Sequence, residues 1–209
     1  LKPQNIILGN GSEGIMGYIV RAFLQPNEEV VTSHNTFIGF LILAKSVGAK
    51  LIQVPRKSDY KYDVEAMARK ITPNTKIVYM ANPDNPTGTY ITKQEFDYLM
   101  EHVPSHTIVI LDEAYFEFAQ AQSDFPDSMN YRYDNVITLR TFSKAYGLSG
   151  IRCGYGFGHD HLISNLHKVK LPFEPSLIAQ KGAVGALQDH PHLKRTLDNN
   201  KARYDETFS

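Results

Sequence analysis

The chain has 209 residues, with 22 basic and 22 acidic side chains and 42% apolar residues, the profile of a globular domain with a sizeable core. A formal net charge of zero, with both signs interspersed, leaves no basic footprint for nucleic acid or an anionic membrane surface. No apolar run nears the roughly 20 residues of a membrane helix. The start Leu1-Lys2-Pro3-Gln4-Asn5 lacks the apolar core of a secretory signal, so a cytoplasmic protein is expected.

Short β-branched runs alternate with helical stretches, the pattern of an α/β layered fold on a largely parallel sheet. Strands are predicted at residues 6–8, 29–32, 50–54, 76–80, 107–111, 136–139 and 154–157. Residues 12–24 form an amphipathic helix capped by Ser12, with Ile15, Ile19, Ala22 and Phe23 on one stripe. Residues 37–47 read as a buried helix. Thr92 and Glu95 have capping-box spacing and start a helix that runs through Phe96, Leu99 and Met100 until Pro104. Two further helices are predicted at 160–169 and 175–187. Residues 120–134, with Pro126 and several polar side chains, are expected to be a mobile surface loop. The chain opens without an initiator Met and closes in a charged helical stretch, Tyr204-Asp205-Glu206-Thr207-Phe208-Ser209, so a fragment cut at both ends is expected. One domain on one central sheet accounts for the whole pattern.

Cys153 is the single cysteine, which excludes an internal disulfide and suits a buried packing position in a reducing compartment. Among eight histidines, His102 and His106 straddle Pro104, which spoils a shared helical face. The pairs His159/His161 and His190/His192 lack supporting Cys, Asp or Glu at a metal-site spacing. No metal is expected.

In an open parallel sheet, ligands gather at the carboxyl ends of the strands. After the first strand comes Gly9-Asn10-Gly11-Ser12-Glu13, a turn that presents backbone N–H groups and a hydroxyl at a helix N-terminus, where an anion is stabilised. The spacing G-x-G-x-x-G is present, yet Thr32-Ser33-His34 stands where a dinucleotide site needs an acid. After the fourth strand, Ala81-Asn82-Pro83-Asp84-Asn85-Pro86-Thr87-Gly88 forms a stiff, non-helical loop that can fix Asn85 as a donor. After the fifth, Asp112 ends a buried strand and needs a partner, with Tyr115 close behind. After the sixth come Thr141-Phe142-Ser143-Lys144 and then Gly150-Ile151-Arg152-Cys153-Gly154. A lone lysine is most often a surface charge. One flanked by hydroxyls and an arginine, facing a buried acid, meets the needs of a pyridine-aldehyde phosphate held as an imine.

At these residues the chain resembles the aspartate aminotransferase superfamily, fold type I of the pyridoxal 5'-phosphate (PLP) enzymes, from about residue 6 to 187. The most specific pieces are Asn82-Pro83-Asp84-Asn85-Pro86-Thr87-Gly88, Leu111-Asp112-Glu113-Ala114-Tyr115 and the stretch from Thr141 through Lys144 to Gly154. Gly9-Asn10-Gly11-Ser12-Glu13, Glu113-Ala114-Tyr115-Phe116-Glu117-Phe118 and Leu139-Arg140-Thr141-Phe142-Ser143-Lys144-Ala145-Tyr146-Gly147-Leu148 are similar to the histidinol-phosphate aminotransferase branch. The segment Lys168-Val169-Lys170-Leu171-Pro172-Phe173-Glu174-Pro175-Ser176 departs from that branch, where Asn-Val or Asn-Val-Asn more often follows the Phe.

The resemblance implies a three-layer α/β/α PLP-transferase large domain over residues 1–209, on a mostly parallel seven-stranded sheet, without its N-terminal segment and most of its small C-terminal domain. It implies that Lys144 forms the imine and moves the substrate proton while Asp112 pairs with the ring nitrogen. Asn85 and Tyr115 would bond the ring oxygen, and Phe37 would stack on the ring. Gly11, Ser12, Thr141, Ser143 and Arg152 would bind the phosphate. The implied reaction is transamination of histidinol phosphate with 2-oxoglutarate or glutamate in histidine biosynthesis, by a homodimer acting on an amino donor and a 2-oxo acid. An aromatic amino-acid aminotransferase and a non-catalytic sensory domain of a regulator share the same motifs.

Overall fold

In a computed structural model the chain is described over residues 1–131 and 133–208. Arg132, within the expected loop, and Ser209, at the end of the charged stretch, lie outside the described residues. The strands are β1 (Ile6–Gly9), β2 (Glu29–Ser33), β3 (Lys50–Val54), β4 (Thr75–Ala81), β5 (Ile108–Asp112), β6 (Val136–Thr141) and β7 (Gly154–Gly158). The helices are α1 (Gly11–Phe23), α2 (Ile38–Ser46), α3 (Val64–Arg69), α4 (Lys93–His102), α5 (Phe116–Ala119), α6 (Asp160–Val169), α7 (Leu177–Gln188) and α8 (His190–Phe208).

One seven-stranded sheet has the order β1-β7-β6-β5-β4-β2-β3. Every pairing is parallel except those of β7, which runs antiparallel to both β1 and β6. The reversal puts the start of β7, and with it Arg152, at the edge where the other strands end. Chain progress reverses between β2 and β4, which lie side by side although β3 separates them in sequence. That is the switch point where open α/β sheets form their crevice.

The three layers follow from strands buried on both faces, which read as continuous apolar runs. Ile77, Tyr79, Ile108 and Ile110 face a core shared with Ile15, Ile19 and Met16 of α1, Phe40 of α2 and Leu162 and Leu166 of α6. The alternate residues Val78, Met80, Val109 and Leu111 pack on Met67 of α3 and Phe96, Leu99 and Met100 of α4. Cys153 is buried in a smaller cluster with Phe142, Ala179 and Ala183.

Several expectations are corrected. Helix α1 starts at Gly11 after Asn10, so Ser12 sits in the first turn rather than at the cap. Helix α2 buries only Phe40 and Ala44, leaving Ile38 66% and Ile42 59% exposed, because only one of its faces meets the sheet. The 120–134 loop is pinned at points along its length. Phe125 is buried against Phe116, and Asp127 accepts a 3.1 Å bond from Arg140. The short helices α3 and α5 were not anticipated, although Asp63 caps α3 by accepting from Ala66 N at 2.9 Å. At the exposed start of α6, Asp160 does support the histidines: its Oδ1 lies 2.6 Å from His159 Nδ1, which is 2.6 Å from His161 Nδ1. No helix among the described residues is long and apolar enough to cross a membrane.

Candidate active site

The residues singled out after each strand converge at the carboxyl edge. A cavity of about 160 Å³ is lined by Ser12, Phe37, Asn85, Asp112, Tyr115, Thr141, Ser143, Lys144 and Arg152, together with Glu13, Ala81, Pro83, Ala114 and Ser149. Gly11 is the one predicted residue outside the lining, and it lies directly beneath Arg152.

Gly11 has φ +75°, and a Cβ there would come within 2.6 Å of Arg152 Nη2. A Cβ on Gly154 would likewise meet the Gly11 carbonyl carbon and the Ser12 nitrogen at 2.6 Å each. Both positions therefore need glycine for the α1 N-terminus to approach β7 and its preceding arginine. Arg152, itself at φ +56°, is steadied by the Ser149 carbonyl at 2.8 Å and reaches Ser143 Oγ at 3.4 Å. Thr141 Oγ1 accepts from Ser143 N at 3.2 Å and lies 3.0 Å from Ser143 Oγ, so the two hydroxyls form one turn at the end of β6. Guanidinium, hydroxyls and a helix N-terminus make an anion cradle suited to phosphate.

Asp112, only 4% exposed, lines the same cavity. Its Oδ2 accepts from the Tyr79 hydroxyl at 3.0 Å, while Oδ1 is buried with no hydrogen-bond partner. Burial pushes this carboxyl up to about 6, opposed by the Tyr79 hydrogen bond, then by the backbone N–H of Ala114 and the positive charge of Lys144. An unpartnered buried acceptor facing a cavity is costly unless a donor arrives there. Tyr79, stacked on Phe40 with centroids 4.0 Å apart, is a site residue that sequence reasoning missed. Its position inside a strand suggested packing, and nothing in the local spacing linked it to Asp112.

Lys144 is exposed at the cavity mouth, its Nζ 5.3 Å from the centroid of the Tyr115 ring. Asn85 and Phe37 form walls from the loops after β4 and β2, on either side of the switch point. Behind the cavity, Glu113 accepts from Arg140 Nε at 2.8 Å, and the Glu113 N–H bonds the Leu139 carbonyl at 2.8 Å, tying the Asp112–Tyr115 segment to β6. The donor set fits a flat heteroaromatic ring with a phosphate at one end. The partnerless Asp112 oxygen would face a protonated ring nitrogen and the Lys144 amine an aldehyde, and these are the features of PLP.

The fold and this cavity define the class: the chain belongs to the aminotransferase class I and II family, whose pattern it matches over residues 1–208. That family is generally PLP-dependent and moves an amino group between an amino donor and a 2-oxo acid. Within it, the chain is 42% identical to the histidinol-phosphate aminotransferase of Akkermansia muciniphila over 197 residues, covering 93% of this chain and 53% of that protein. It is 41% identical to that of a Geobacillus species over 210 residues, covering 100% of this chain and 57% of the relative. A crystal structure of histidinol-phosphate aminotransferase from Sinorhizobium meliloti in complex with pyridoxal-5'-phosphate superposes with a TM-score of 0.88 at 34% identity, covering 94% of this chain and 53% of that one. The chain thus spans about half the length of the curated relatives it matches.

Proposed function

We propose that this chain is the PLP-binding large domain of a histidinol-phosphate aminotransferase, exchanging the amino group of histidinol phosphate with 2-oxoglutarate in histidine biosynthesis. The observation that carries the reading is the buried, partnerless Asp112 oxygen lining the same cavity as Lys144 and the Arg152 cradle. The choice of substrate is supported by relatives at about 40% identity that bear that name.

Bound in this site, PLP supplies an electron sink for the pair left when the substrate's α-proton departs. The chain's own residues do the rest. Lys144 Nζ would hold the cofactor through its aldehyde and, once free, would act as the base that takes the substrate's α-proton and returns it within the site. Asp112 would keep a proton on the ring nitrogen through its charge, as an opposite charge nearby favours the protonated form. The Tyr79 hydroxyl fixes the carboxylate's other oxygen and thereby its orientation. Asn85 and Tyr115 would hydrogen-bond the ring oxygen, Phe37 would stack on the ring, and Gly11, Ser12, Thr141, Ser143 and Arg152 would hold the phosphate. A cytoplasmic homodimer is the expected form, with the residues that bind the substrate's carboxylate and phosphate supplied from outside this chain.

The test is a half-reaction on the full-length protein carrying PLP. Histidinol phosphate should convert the visible band to the pyridoxamine form faster than phenylalanine does. Conversion by phenylalanine alone would assign the enzyme to aromatic substrates instead.

A further inference from the structure

Asp84 lies between the two prolines of the 82–88 loop, one residue before Asn85, and its side chain is fully buried at 0% exposure. Thr36 Oγ1 reaches its Oδ1 at 2.8 Å and the Tyr62 hydroxyl reaches the same oxygen at 2.7 Å. Arg56 Nη2 and Thr87 Oγ1 each reach its Oδ2 at 2.8 Å. The Arg56 side chain, 7% exposed, also donates to the carbonyls of His34 at 2.8 Å, Asn35 at 3.3 Å and Tyr60 at 2.9 Å. Its guanidinium lies 4.8 Å from the Tyr62 ring centroid, and the Tyr62 oxygen accepts from Ala81 N at 3.1 Å.

One buried ion pair thus joins three segments distant in sequence: the turn after β2, the loop after β3 and the loop after β4. The first and third carry the two walls of the crevice at the switch point. Thr36 immediately precedes Phe37, and Asp84 immediately precedes Asn85. A buried ion pair is weak as a source of stability, because desolvation offsets its attraction. Four side-chain donors converging on one carboxylate, with the Thr87 N–H at 3.4 Å beside them, do, however, fix the relative placement of the segments that supply them.

We propose that Asp84, held by Arg56, Tyr62 and Thr36, is a positioning group that sets the spacing between Phe37 and Asn85 and so pre-forms both walls that grip PLP. It rests on the PLP reading above. The network acts through its neighbours, since Asp84 does not line the cavity. With the network broken, the two walls must be ordered when the cofactor binds, which weakens binding. The Asn85 hydrogen bond to the ring oxygen also loosens. An oxygen with a weaker donor holds the proton shared with the Lys144 nitrogen more tightly, so the pH midpoint of the visible band moves up.

The experiment uses full-length protein and the variants Asp84→Asn, Thr36→Val and Asn85→Ala. PLP affinity, the pH midpoint of the visible band and the melting temperature of the PLP-free protein are measured for each. Asp84→Asn and Thr36→Val should weaken PLP binding about tenfold and raise the midpoint by about half a pH unit, the size of a weakened hydrogen bond. In the Asn85→Ala background, Asp84→Asn should move the midpoint no further. A lower melting temperature with unchanged affinity and midpoint would overturn the proposal, as would a full midpoint shift in the Asn85→Ala background. If Asp84→Asn does not fold, Thr36→Val, which leaves the Arg56–Asp84 pair in place, decides by the same readouts. A parent protein without any PLP band defeats both readings, whereas a normal parent with unaltered variants defeats only the positioning role.

Discussion

Burial pushes the Asp112 carboxyl up to about 6, against the opposing pull of the Tyr79 hydroxyl, the Ala114 backbone N–H and Lys144. An unfolded Asp gives up its proton near 4, so the folded, PLP-free protein keeps the proton longer than the unfolded chain does. Ionisation therefore lowers stability as pH rises from about 4 to about 6, and the full cost remains above that window. Asp112→Asn removes the charge, and at pH 7 it is expected to stabilise the PLP-free protein by on the order of 2 kcal/mol. Denaturant melts across pH 4–8 check this: the parent should lose stability relative to the variant as pH rises, and parallel curves would contradict it. On the proposed PLP reading, the same substitution would leave the ring nitrogen without an anionic partner, so turnover should fall by several orders of magnitude. A cationic ring nitrogen is the group that would relieve the cost, which is why a carboxylate tolerated so poorly by the apo site belongs there.

Elements with local chemical signatures were legible from the sequence. Thr92 and Glu95 form the reciprocal cap of α4: Thr92 Oγ1 accepts from Glu95 N at 3.3 Å and Glu95 Oε2 from Thr92 N at 2.8 Å. Thr92→Ala should cost about 1 kcal/mol of stability with no change in PLP affinity. A chemical melt with a PLP titration separates the two effects, and a large loss of affinity would mean that α4 shapes the site directly. Strands β4 and β5 were equally visible, because burial on both faces demands uninterrupted apolar runs. Helix α3, six residues long, was missed because Asp63 is its only strong boundary signal and its length allows no periodicity to develop. The exposed face of α2 was missed for the opposite reason: Ile38 and Ile42 are apolar yet outward, and composition alone cannot tell a core face from an uncovered one. Glu174, where the family wording breaks, bonds the Tyr18 hydroxyl of α1. That is a long-range partnership no spacing rule contains.

Across the whole molecule, the convergence of the candidate residues was readable because most of them follow a strand, and a parallel sheet brings strand ends to one edge, while Arg152 reaches that edge at the start of the antiparallel β7. Lys144, Asp112, Asn85 and Arg152 belong to four different strand ends or starts, and the cavity collects all of them. The sheet order was not readable in the same way. The antiparallel β7 and the reversal between β2 and β4 depend on pairings between distant segments, which apolar runs do not specify. The Asp84–Arg56 network has the same character, since a loop aspartate and a loop arginine 28 residues apart carry no shared pattern. The matched relatives are about twice as long as this chain.

The attachment of PLP to Lys144 is the claim on which the rest depends. Borohydride reduction of the PLP-loaded full-length protein, followed by peptide mass spectrometry, tests it directly. The predicted result is a phosphopyridoxyl group on Lys144 in the parent and none on the Lys144→Ala variant. Modification of another lysine, or the same labelling in the variant, would contradict the assignment of the site.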